Sequence, residues 1–243
     1  MSSHEKIALV TGATRGLGLE TGRKLSKTGA KVLLGARGVK AGEAKASELR
    51  SGGLDVEAIE IDLERSETFE AAAQQIDNRF GRLDVLVNNA GILDFADGYP
   101  GAAPIDVIKH ILDVNFVATV ALTQKLLPLL KKSSAGRIVN LSSNLGSLAF
   151  NSNYDHPNAD KKWLGYSASK AALNMFTVQL AYELRDTPIK VNAICPGYVR
   201  TDLNHGHGDL TIDEGTRAQP VYALLGPDGP SGQFFNAEGP LPW

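Results

Sequence analysis

The sequence contains one cysteine, little net charge and no long apolar segment, and each absence excludes a class of protein. Cys195 alone cannot form an internal disulfide or a multi-cysteine metal site, which suits a reducing compartment and leaves core packing as its plain role. The 25 lysines and arginines nearly balance the 27 aspartates and glutamates, so a net charge of −2 provides no broad surface for nucleic acid or an acidic membrane. We therefore predict that the protein binds neither.

The sequence also lacks any stretch of about 18 apolar residues that could cross a membrane. The apolar residues 7–10 are too few for the central region of a signal peptide. These features predict a soluble, cytoplasmic protein. Its 243 residues, 43% of them hydrophobic, can bury one sizeable core, and we expect a single domain over residues 1–243.

Short apolar segments typical of buried strands alternate with longer amphipathic stretches. These segments are residues 7–10, 31–34, 56–61, 85–87, 137–141 and 190–195, with 233–235 as a candidate edge strand. Parallel strands need crossover connections, which are right-handed in nearly all proteins. The alternation therefore predicts an α/β fold, a single doubly wound parallel sheet of the Rossmann-like kind with helices on both faces.

Three connecting helices are predicted by apolar periodicity and by the residues that begin or end a helix. They span about residues 16–27, 104–132 and 164–185; Pro104 suits a first helical turn, and Pro188 prevents continuation of the third helix. Asn115 lies in the middle of the second helix, where asparagine is unfavourable because its side chain competes for backbone hydrogen bonds. We expect specific partners for the Asn115 amide to offset this cost.

A glycine-rich segment follows the first predicted strand, where that strand passes into a helix. Gly12, Gly16 and Gly18 are spaced four and two residues apart. Glycine lets the backbone approach a pyrophosphate closely, and the free amides and the helix dipole present positive charge to it. Three glycines alone are weak evidence, but their position after the first strand predicts a phosphate-binding loop.

This spacing, together with four further motifs in the same order, resembles the short-chain dehydrogenase/reductase family. The motifs are the glycine loop, the segment Asn-Asn-Ala-Gly at 88–91, Ser143, Tyr166 with Lys170, and Pro-Gly at 196–197. The resemblance spans nearly the whole chain and implies an oxidoreductase with a nicotinamide cofactor. The segment 226–235 is similar to carbonyl-reductase-like members, which implies reduction of a ketone or an aldehyde.

The end of the second strand distinguishes NAD from NADP in such folds, because an acidic residue there binds the ribose 2′-hydroxyl of NAD. Here the strand is followed by Ala36 and Arg37, without a carboxylate. Arg37 can form charge-assisted hydrogen bonds with a 2′-phosphate, and Arg15 in the glycine loop can reach the same group. Either arginine alone could be an ordinary surface charge, but together with the missing acid they predict NADP(H).

The resemblance implies the remaining contacts to the cofactor. Asp62 would accept from the adenine amino group, although a solvated aspartate at a strand end is the alternative. The segment that begins at Pro196 would close over the nicotinamide carboxamide. In full, the predicted cofactor-binding residues are Gly12, Thr14, Arg15, Gly16, Leu17, Gly18, Arg37, Asp62, Leu63, Asn89, Tyr166, Lys170, Pro196, Gly197, Val199 and Thr201.

Tyr166 and Lys170 are four residues apart, which places their side chains on one helix face with Cβ atoms about 5–6 Å apart. Hydride transfer to a carbonyl builds charge on its oxygen, and Tyr166 is the candidate proton donor. The Lys170 cation and an oxidised nicotinamide both favour the phenolate, so we expect the pKa of Tyr166 to be lowered toward working pH. The resemblance implies that Lys170 also holds the nicotinamide ribose.

Two further residues complete the predicted catalytic set of Asn115, Ser143, Tyr166 and Lys170. Ser143 would hydrogen-bond the substrate oxygen, whereas the neighbouring Ser142 suits a strand-end cap. By resemblance, Asn115 would help to hold a water that relays protons to Lys170, and a satisfied buried asparagine is the alternative. The histidines at 205 and 207 could suggest a metal site, but we predict a loop there and no metal.

The connection between Ser143 and Tyr166 has 22 residues, more than in compact members of the family. It could form a wall of the substrate pocket and interrupt a dimer surface, so the sequence leaves monomer and homo-oligomer open. An apolar or aromatic carbonyl or alcohol is the predicted small-molecule substrate. The side chains behind this prediction are Leu93, Phe95, Tyr99, Phe150, Tyr154, His156, Trp163 and Tyr198.

Three functions are compatible with these motifs. The first is NADPH-dependent reduction of a ketone or aldehyde, and the second is alcohol oxidation or reduction of an activated C=C bond on the same scaffold. The third is a non-catalytic NADP-binding regulator, which would need the glycine loop but not the four catalytic residues. Their joint presence favours an enzyme.

Overall fold

The computed structural model describes residues 6–155 and 159–243 of the chain. Within these residues, seven parallel strands form one sheet in the order β3-β2-β1-β4-β5-β6-β7. The strands are β1 Ile7–Val10, β2 Lys31–Ala36, β3 Val56–Glu60, β4 Val85–Asn88, β5 Arg137–Leu141, β6 Lys190–Ile194 and β7 Phe234–Phe235. The predicted parallel sheet is confirmed, and every predicted strand differs from the observed one by two residues or fewer at each end.

Helices cover both faces of this sheet. They are α1 Gly16–Lys27, α2 Val39–Ser51, α3 Glu67–Phe80, α4 Ile105–Leu112, α5 Ala118–Lys131, α6 Leu148–Asn151, α7 Leu164–Glu183, α8 Ile212–Gly215 and α9 Ala218–Ala223. On one face, α3, α5 and α7 pack against strand residues such as Leu9 and Leu86. On the other face, α1, α2 and α9 pack against alternate strand residues such as Val10 and Val85. Burial on both faces explains why the central strands are mostly apolar rather than alternating.

The helix predicted over residues 104–132 is present but is not a regular α-helix. It begins at Ile105, directly after Pro104, and its middle is a π turn, Asp113–Val117, which joins α4 to α5. The third predicted helix, α7, ends at Glu183, two residues before the predicted end. A turn replaces its last residues, since Thr187 donates to the Leu184 carbonyl through both its amide, at 3.0 Å, and its hydroxyl, at 2.6 Å. Among the described residues, no helix is both long and apolar enough to span a bilayer.

The order of the strands opens a crevice at one edge of the sheet. From β1 the chain proceeds outward through β2 to β3, and it then returns to place β4 on the other side of β1. The connections after β1 and β4 therefore leave toward opposite faces of the sheet and separate at the carboxyl ends of these strands. In open α/β sheets this is where ligands bind.

A buried arginine joins the C-terminal segment to the sheet. Arg137 at the start of β5 is 1% exposed, and burial lowers the pKa of its guanidinium. Its nitrogen atoms donate to the carbonyls of Leu225 at 2.6 and 2.9 Å, Gly226 at 3.0 Å, Pro188 at 3.0 Å and Gly136 at 2.7 Å. Hydrogen bonds from a charged donor are stronger than those between neutral groups, so these bonds offset the desolvation cost of the Arg137 guanidinium. The same bonds hold three separate segments of the chain together.

We expect Arg137→Met to lower the free energy of unfolding by about 2–4 kcal/mol, because several buried carbonyls lose their donor. Urea unfolding followed by circular dichroism measures the change. The matched control is Arg185→Met, since Arg185 lies on the surface and donates to a single nearby carbonyl, that of Tyr182. Equal stability of the two variants would contradict the anchoring role of Arg137.

Candidate active site

The crevice contains a cavity of about 790 Å³. Its wall is formed by loops that follow the strands β1 to β6 and by the first turns of α7. Most of the predicted site residues contribute to this wall. These are Gly12, Thr14, Arg15, Gly16, Leu17, Gly18, Arg37, Asp62, Leu63, Asn89, Tyr166, Lys170, Pro196 and Thr201. Asn115, Ser143, Gly197 and Val199 are not part of this wall; Asn115 and Val199 are buried, and the Val199 side chain packs against Gly215 of α8.

The glycine loop has the conformation that its sequence predicts. Gly12 at φ +62° and Gly16 at φ +56° occupy the left-handed region, which favours glycine. A Cβ atom on Gly18 would lie 2.5 Å from the Gly12 carbonyl oxygen, so α1 can start this close to the loop only without a side chain there. No atom lies within 4 Å of the position of a Cβ on Gly16, which leaves the backbone open toward the cavity. The loop thus fits a phosphate group bound by backbone amides.

The loop after β4 holds the glycine loop in place. The Thr11 hydroxyl accepts from the amides of Asn89 at 3.0 Å and Ala90 at 2.9 Å. The Asn89 side chain donates to the Thr11 carbonyl at 2.7 Å. Asn89 therefore supports the loop as well as lining the cavity, and the two connections that separate at the crevice are tied together by hydrogen bonds.

The cationic residues at the far end of the cavity differ in their surroundings. Among the described residues, the exposed guanidinium of Arg37 has no ion-pair or hydrogen-bond partner, and the preceding Ala36 is buried. Arg15 forms a largely exposed ion pair with Asp202 at 3.2 Å across the mouth of the cavity. Such an exposed pair contributes about 0–1 kcal/mol, so Arg15 can exchange its partner at little cost.

Asp62 is held by its own loop rather than left in solvent. Its carboxylate accepts from the Glu64 amide at 3.1 Å and from Arg65 Nε at 3.1 Å. The Asp62 backbone amide donates to the hydroxyl of Thr68 at 3.1 Å, at the start of α3. These bonds place Asp62 and Leu63 at the cavity edge beside Arg37.

Ser143, Tyr166 and Lys170 meet on the opposite side of the cavity. The Ser143 side chain lies beside Tyr166 and acts to lower the pKa of the phenol, and the Ser143 hydroxyl accepts from the Leu145 amide at 3.2 Å. Lys170 Nζ lies 5.6 Å from the centre of the Tyr166 ring and donates to the Leu141 carbonyl at 2.8 Å. The neighbouring Ser142 also lines the cavity, but its hydroxyl is engaged with Asn174 Oδ1 at 2.6 Å and with the Lys170 carbonyl at 3.5 Å.

Burial controls the acid–base properties of this pair. Removal from water raises the pKa of the Tyr166 phenol above its usual value, and the hydrogen bond from Ser143 offsets only part of this rise. Burial also lowers the pKa of Lys170 to about 8. The lowering of the Tyr166 pKa that we expected from Lys170 is therefore not produced by the protein alone, because desolvation of the phenol is the largest influence and it raises the pKa.

Asn115 has the specific partners that its position in a helix predicts. It is 1% exposed and lies in the π turn between α4 and α5. Its Oδ1 accepts from the Ile92 amide at 2.7 Å, and its Nδ2 donates to the Ile92 carbonyl at 2.9 Å and to the Ser169 hydroxyl at 3.1 Å. The side chain is thus a satisfied buried amide, and it links the loop after β4 to α7 one residue before Lys170.

An aromatic group borders the cavity mouth. Phe95 packs on His205 with ring centres 4.4 Å apart, and Trp163 meets Phe95 edge-on at 6.2 Å. His205 has φ +54°, and no sequence motif indicated that its ring would reach the cavity. Of the other residues predicted to form the pocket wall, Leu93 lines the cavity. Phe150 is half-buried, and the side chains of Tyr99, Tyr154 and Tyr198 are partly or largely exposed. His156 lies outside the described residues.

A second functional residue missed in the sequence is Asp97, in the loop after β4. It is 4% exposed, and its carboxylate accepts from the backbone amides of Gly165 and Tyr166 at the start of α7. Its partners are almost 70 residues away in sequence, so local pattern could not reveal them. The sequence feature that could have indicated such a partner is Trp163, which precedes the helix beginning at Leu164 and cannot cap it with a side-chain acceptor.

Cys195 and the two histidines add no metal site within the described part of the chain, where no group of three or more metal-ligating side chains occurs. Cys195 is buried with Ala193 and Phe234, which is the core-packing role considered for it.

Comparisons with known proteins agree with this geometry. The family model for short chain dehydrogenases matches residues 6–209. The chain is 33% identical over 296 aligned positions to short-chain dehydrogenase/reductase 1 of Saponaria officinalis, covering 99% of this chain and 97% of that protein. It is 31% identical over 282 aligned positions to carbonyl reductase (NADPH) 3 of Rattus norvegicus, covering 100% of both. The chain also superposes on the NADPH-bound crystal structure of carbonyl reductase from chicken fatty liver with a TM-score of 0.84 at 28% identity, covering 98% of this chain and 99% of that one.

The chain therefore belongs to the short-chain dehydrogenase family, a family of oxidoreductases that bind a nicotinamide cofactor and act on small molecules.

Proposed function

We propose that the protein is an NADP(H)-dependent reductase that converts a ketone or aldehyde into an alcohol. The observation that carries this proposal is that Tyr166 and Lys170, with Ser143 beside the phenol, line the same cavity as an open glycine loop. A non-catalytic regulator would need only the loop. The presence of the glycine loop and the Tyr166–Lys170 pair in one cavity favours an enzyme.

The preference for NADP(H) rests on Arg37. Its guanidinium has no partner among the described residues and no carboxylate occupies the end of β2, so the position suits a 2′-phosphate rather than a 2′-hydroxyl. Arg15 would join it by leaving its exposed pair with Asp202. The two relatives described as binding NADPH support the same choice.

The remaining cofactor contacts follow from the cavity wall. The glycine loop would hold the pyrophosphate, and Asp62 with Leu63 would border the adenine. Pro196, Gly197, Val199 and Thr201 would enclose the nicotinamide end, which places it beside Tyr166 and Lys170. A cofactor bound in this way would supply the hydride that reduces the carbonyl carbon.

Tyr166 and Ser143 would act on the carbonyl oxygen. The Ser143 hydroxyl donates a hydrogen bond to that oxygen as it gains negative charge, and the Tyr166 phenol transfers its proton to it. The raised pKa of Tyr166 keeps the phenol protonated at neutral pH, which favours proton donation over proton removal. Alcohol oxidation on the same scaffold is the second candidate function, and it would use the Tyr166 phenolate as the proton acceptor.

Lys170 would stabilise the phenolate that Tyr166 becomes. Its ammonium lies beneath the ring, held by the Leu141 carbonyl, and its pKa of about 8 allows proton exchange near neutral pH. Asn115 Nδ2 donates to Ser169, the residue before Lys170. Asn115 also lies next to Gly91, and a Cβ atom added to Gly91 would contact both Asn115 Oδ1 and Lys170 Nζ. A water relay through this region is consistent with that proximity.

The substrate is proposed to be apolar or aromatic. Phe95, Trp163 and His205 place flat rings at the mouth, and Ile92 and Leu93 continue the apolar wall inward. A planar or hydrophobic ketone would bury its surface against these side chains without leaving a charge unpaired.

The assigned proton donor is tested by NADPH oxidation against a panel of ketones and aldehydes. We expect Tyr166→Phe to lower kcat by about 10²–10⁴-fold, because proton transfer from a positioned acid contributes that much. Ser143→Ala should lower kcat by about 10²–10³-fold through loss of one hydrogen bond to the developing charge. The matched control is Ser142→Ala, which breaks the bond to Asn174 and should change thermal stability more than kcat. A wild-type rate in Tyr166→Phe would refute the proposal.

The pH dependence follows from Lys170. Its charged form stabilises the phenolate, and that form is lost as pH rises through its pKa of about 8. We therefore expect kcat for reduction to be constant below about pH 7 and to decline above about pH 8. NADPH affinity, measured by fluorescence at each pH, separates this effect from cofactor loss. A kcat that stays constant to about pH 10 would show that Lys170 charge plays no part.

The cofactor preference is tested at Arg37. We expect Arg37→Ala to raise the Kd for NADPH by about tenfold or more and to leave the Kd for NADH nearly unchanged, since only NADPH carries the 2′-phosphate. Arg50→Ala is the control, because Arg50 is a partly exposed arginine on α2 outside the cavity wall. The 2′-phosphate assignment fails if NADH binds as tightly as NADPH and Arg37→Ala changes neither affinity.

A further inference from the structure

The helix that carries Tyr166 and Lys170 has no capping side chain of its own. Trp163 precedes α7 and supplies none, so the backbone amides of Leu164, Gly165 and Tyr166 need acceptors from elsewhere. Two consecutive residues supply all of them. The Leu164 amide donates to the Gly98 carbonyl at 3.0 Å, the Gly165 amide to Asp97 Oδ1 at 3.0 Å and the Tyr166 amide to Asp97 Oδ2 at 2.9 Å.

The Asp97 carboxylate is itself held firmly. It is 4% exposed, its Oδ1 also accepts from the Gly98 amide at 2.9 Å, and the Asp97 amide donates to the Asp94 carbonyl at 3.0 Å. Within the described residues it forms no ion pair. Its charge is therefore met by backbone amides and by the positive end of the α7 dipole.

The contact also depends on a glycine at the second position of α7. A Cβ atom on Gly165 would lie 3.3 Å from Asp97 Oδ2 and 3.1 Å from the Ile108 Cα atom. Both contacts are tighter than ordinary packing, so any larger residue would push α7 away from the carboxylate. Gly165 and Asp97 thus act together to bring the helix start against the loop after β4.

Tyr166 is the third residue of α7, in the turn that frays most readily when its amides lack acceptors. We propose that Asp97 is a positioning residue, which fixes the first turn of α7 and so keeps the Tyr166 phenol in register with Ser143 and Lys170. Asp97 touches neither the cofactor side of the cavity nor the phenol, and it acts through the backbone of Tyr166. This inference rests on the proposed role of Tyr166.

The experiment compares Asp97→Ala, Asp97→Asn and the matched control Asp94→Asn. Asp94 lies in the same loop, where its carboxylate accepts from the Ala96 amide at 2.8 Å, and among the described residues it makes no contact with α7. We expect Asp97→Ala to lower kcat by about 100-fold, since a shift of about 1 Å in a reacting group can cost that factor. Asp97→Asn should lie between it and the wild type, because its amide oxygen can still accept from Gly165. Asp94→Asn should have wild-type kcat.

Two readouts separate positioning from a general loss of structure. The Kd for NADPH should stay within about twofold in each folded variant, because the glycine loop and Arg37 are untouched, and amide exchange at Gly165 and Tyr166 should accelerate about tenfold or more in Asp97→Ala. In a Tyr166→Phe background, Asp97→Ala should have little further effect on kcat, since the group that it positions is already gone. If Asp97→Ala does not fold, Asp97→Asn carries the same comparisons.

The proposal is overturned if a folded Asp97 variant keeps wild-type kcat, or if kcat falls by the same factor with and without the Tyr166 hydroxyl. It is also overturned if the loss of kcat matches an equal loss of NADPH affinity. Failure of the proposed function would be seen differently, as wild-type activity in Tyr166→Phe itself.

Discussion

The separation of the chain connections after β1 and β4 is the constraint on which the site depends. Because these neighbouring strands send their connections to opposite faces of the sheet, the backbone leaves a gap that no side chain fills. The gap persists because Thr11 and Asn89 tie its two edges together by hydrogen bonds instead of by packing. Every other feature of the site is arranged around that gap: the glycine loop at one side, and α7 with the catalytic pair at the other.

The placement of α7 on the sheet relies on polar contacts in an otherwise apolar interior. Asn88 donates to Thr123 at 3.0 Å and to Asn140 at 2.8 Å, and Asn140 donates to Thr177 at 2.9 Å. This chain of bonds crosses from α5 through two strands to α7. Apolar packing tolerates small slides of a helix along a sheet, whereas hydrogen bonds between buried side chains are lost if either partner moves. The network therefore restricts α7 to one register at Thr177, about two turns after Lys170.

The elements could be predicted where the physical signal is local. The strands are continuous apolar segments because both faces are buried, and α1 begins at Gly16 and ends near Gly29 as its sequence indicates. The π turn at Asp113–Val117 could not be placed, because widening the helix follows from bonds between Asn115 and the distant Ile92. Nor could the direction of the Tyr166 pKa be predicted from Lys170 alone, since the degree of burial is a property of the folded chain.

The site followed the same division. Motif spacing indicated the glycine loop, Arg37 and the Tyr166–Lys170 pair, which come together in one cavity wall. Asp97 and His205 were missed because their partners lie far away in sequence and their own neighbours are ordinary loop residues.

The buried Arg137 has a consequence for how the chain tolerates shortening. Arg137 is the first residue of β5, and its buried guanidinium donates much of its hydrogen bonding to the carbonyls of residues 225 and 226. A chain cut before these residues would lose more than the short β7, because a permanent charge would remain inside the protein with too few oxygen atoms around it. The carbonyl oxygens of residues 225 and 226 thus replace water as hydrogen-bond acceptors for the buried Arg137 guanidinium.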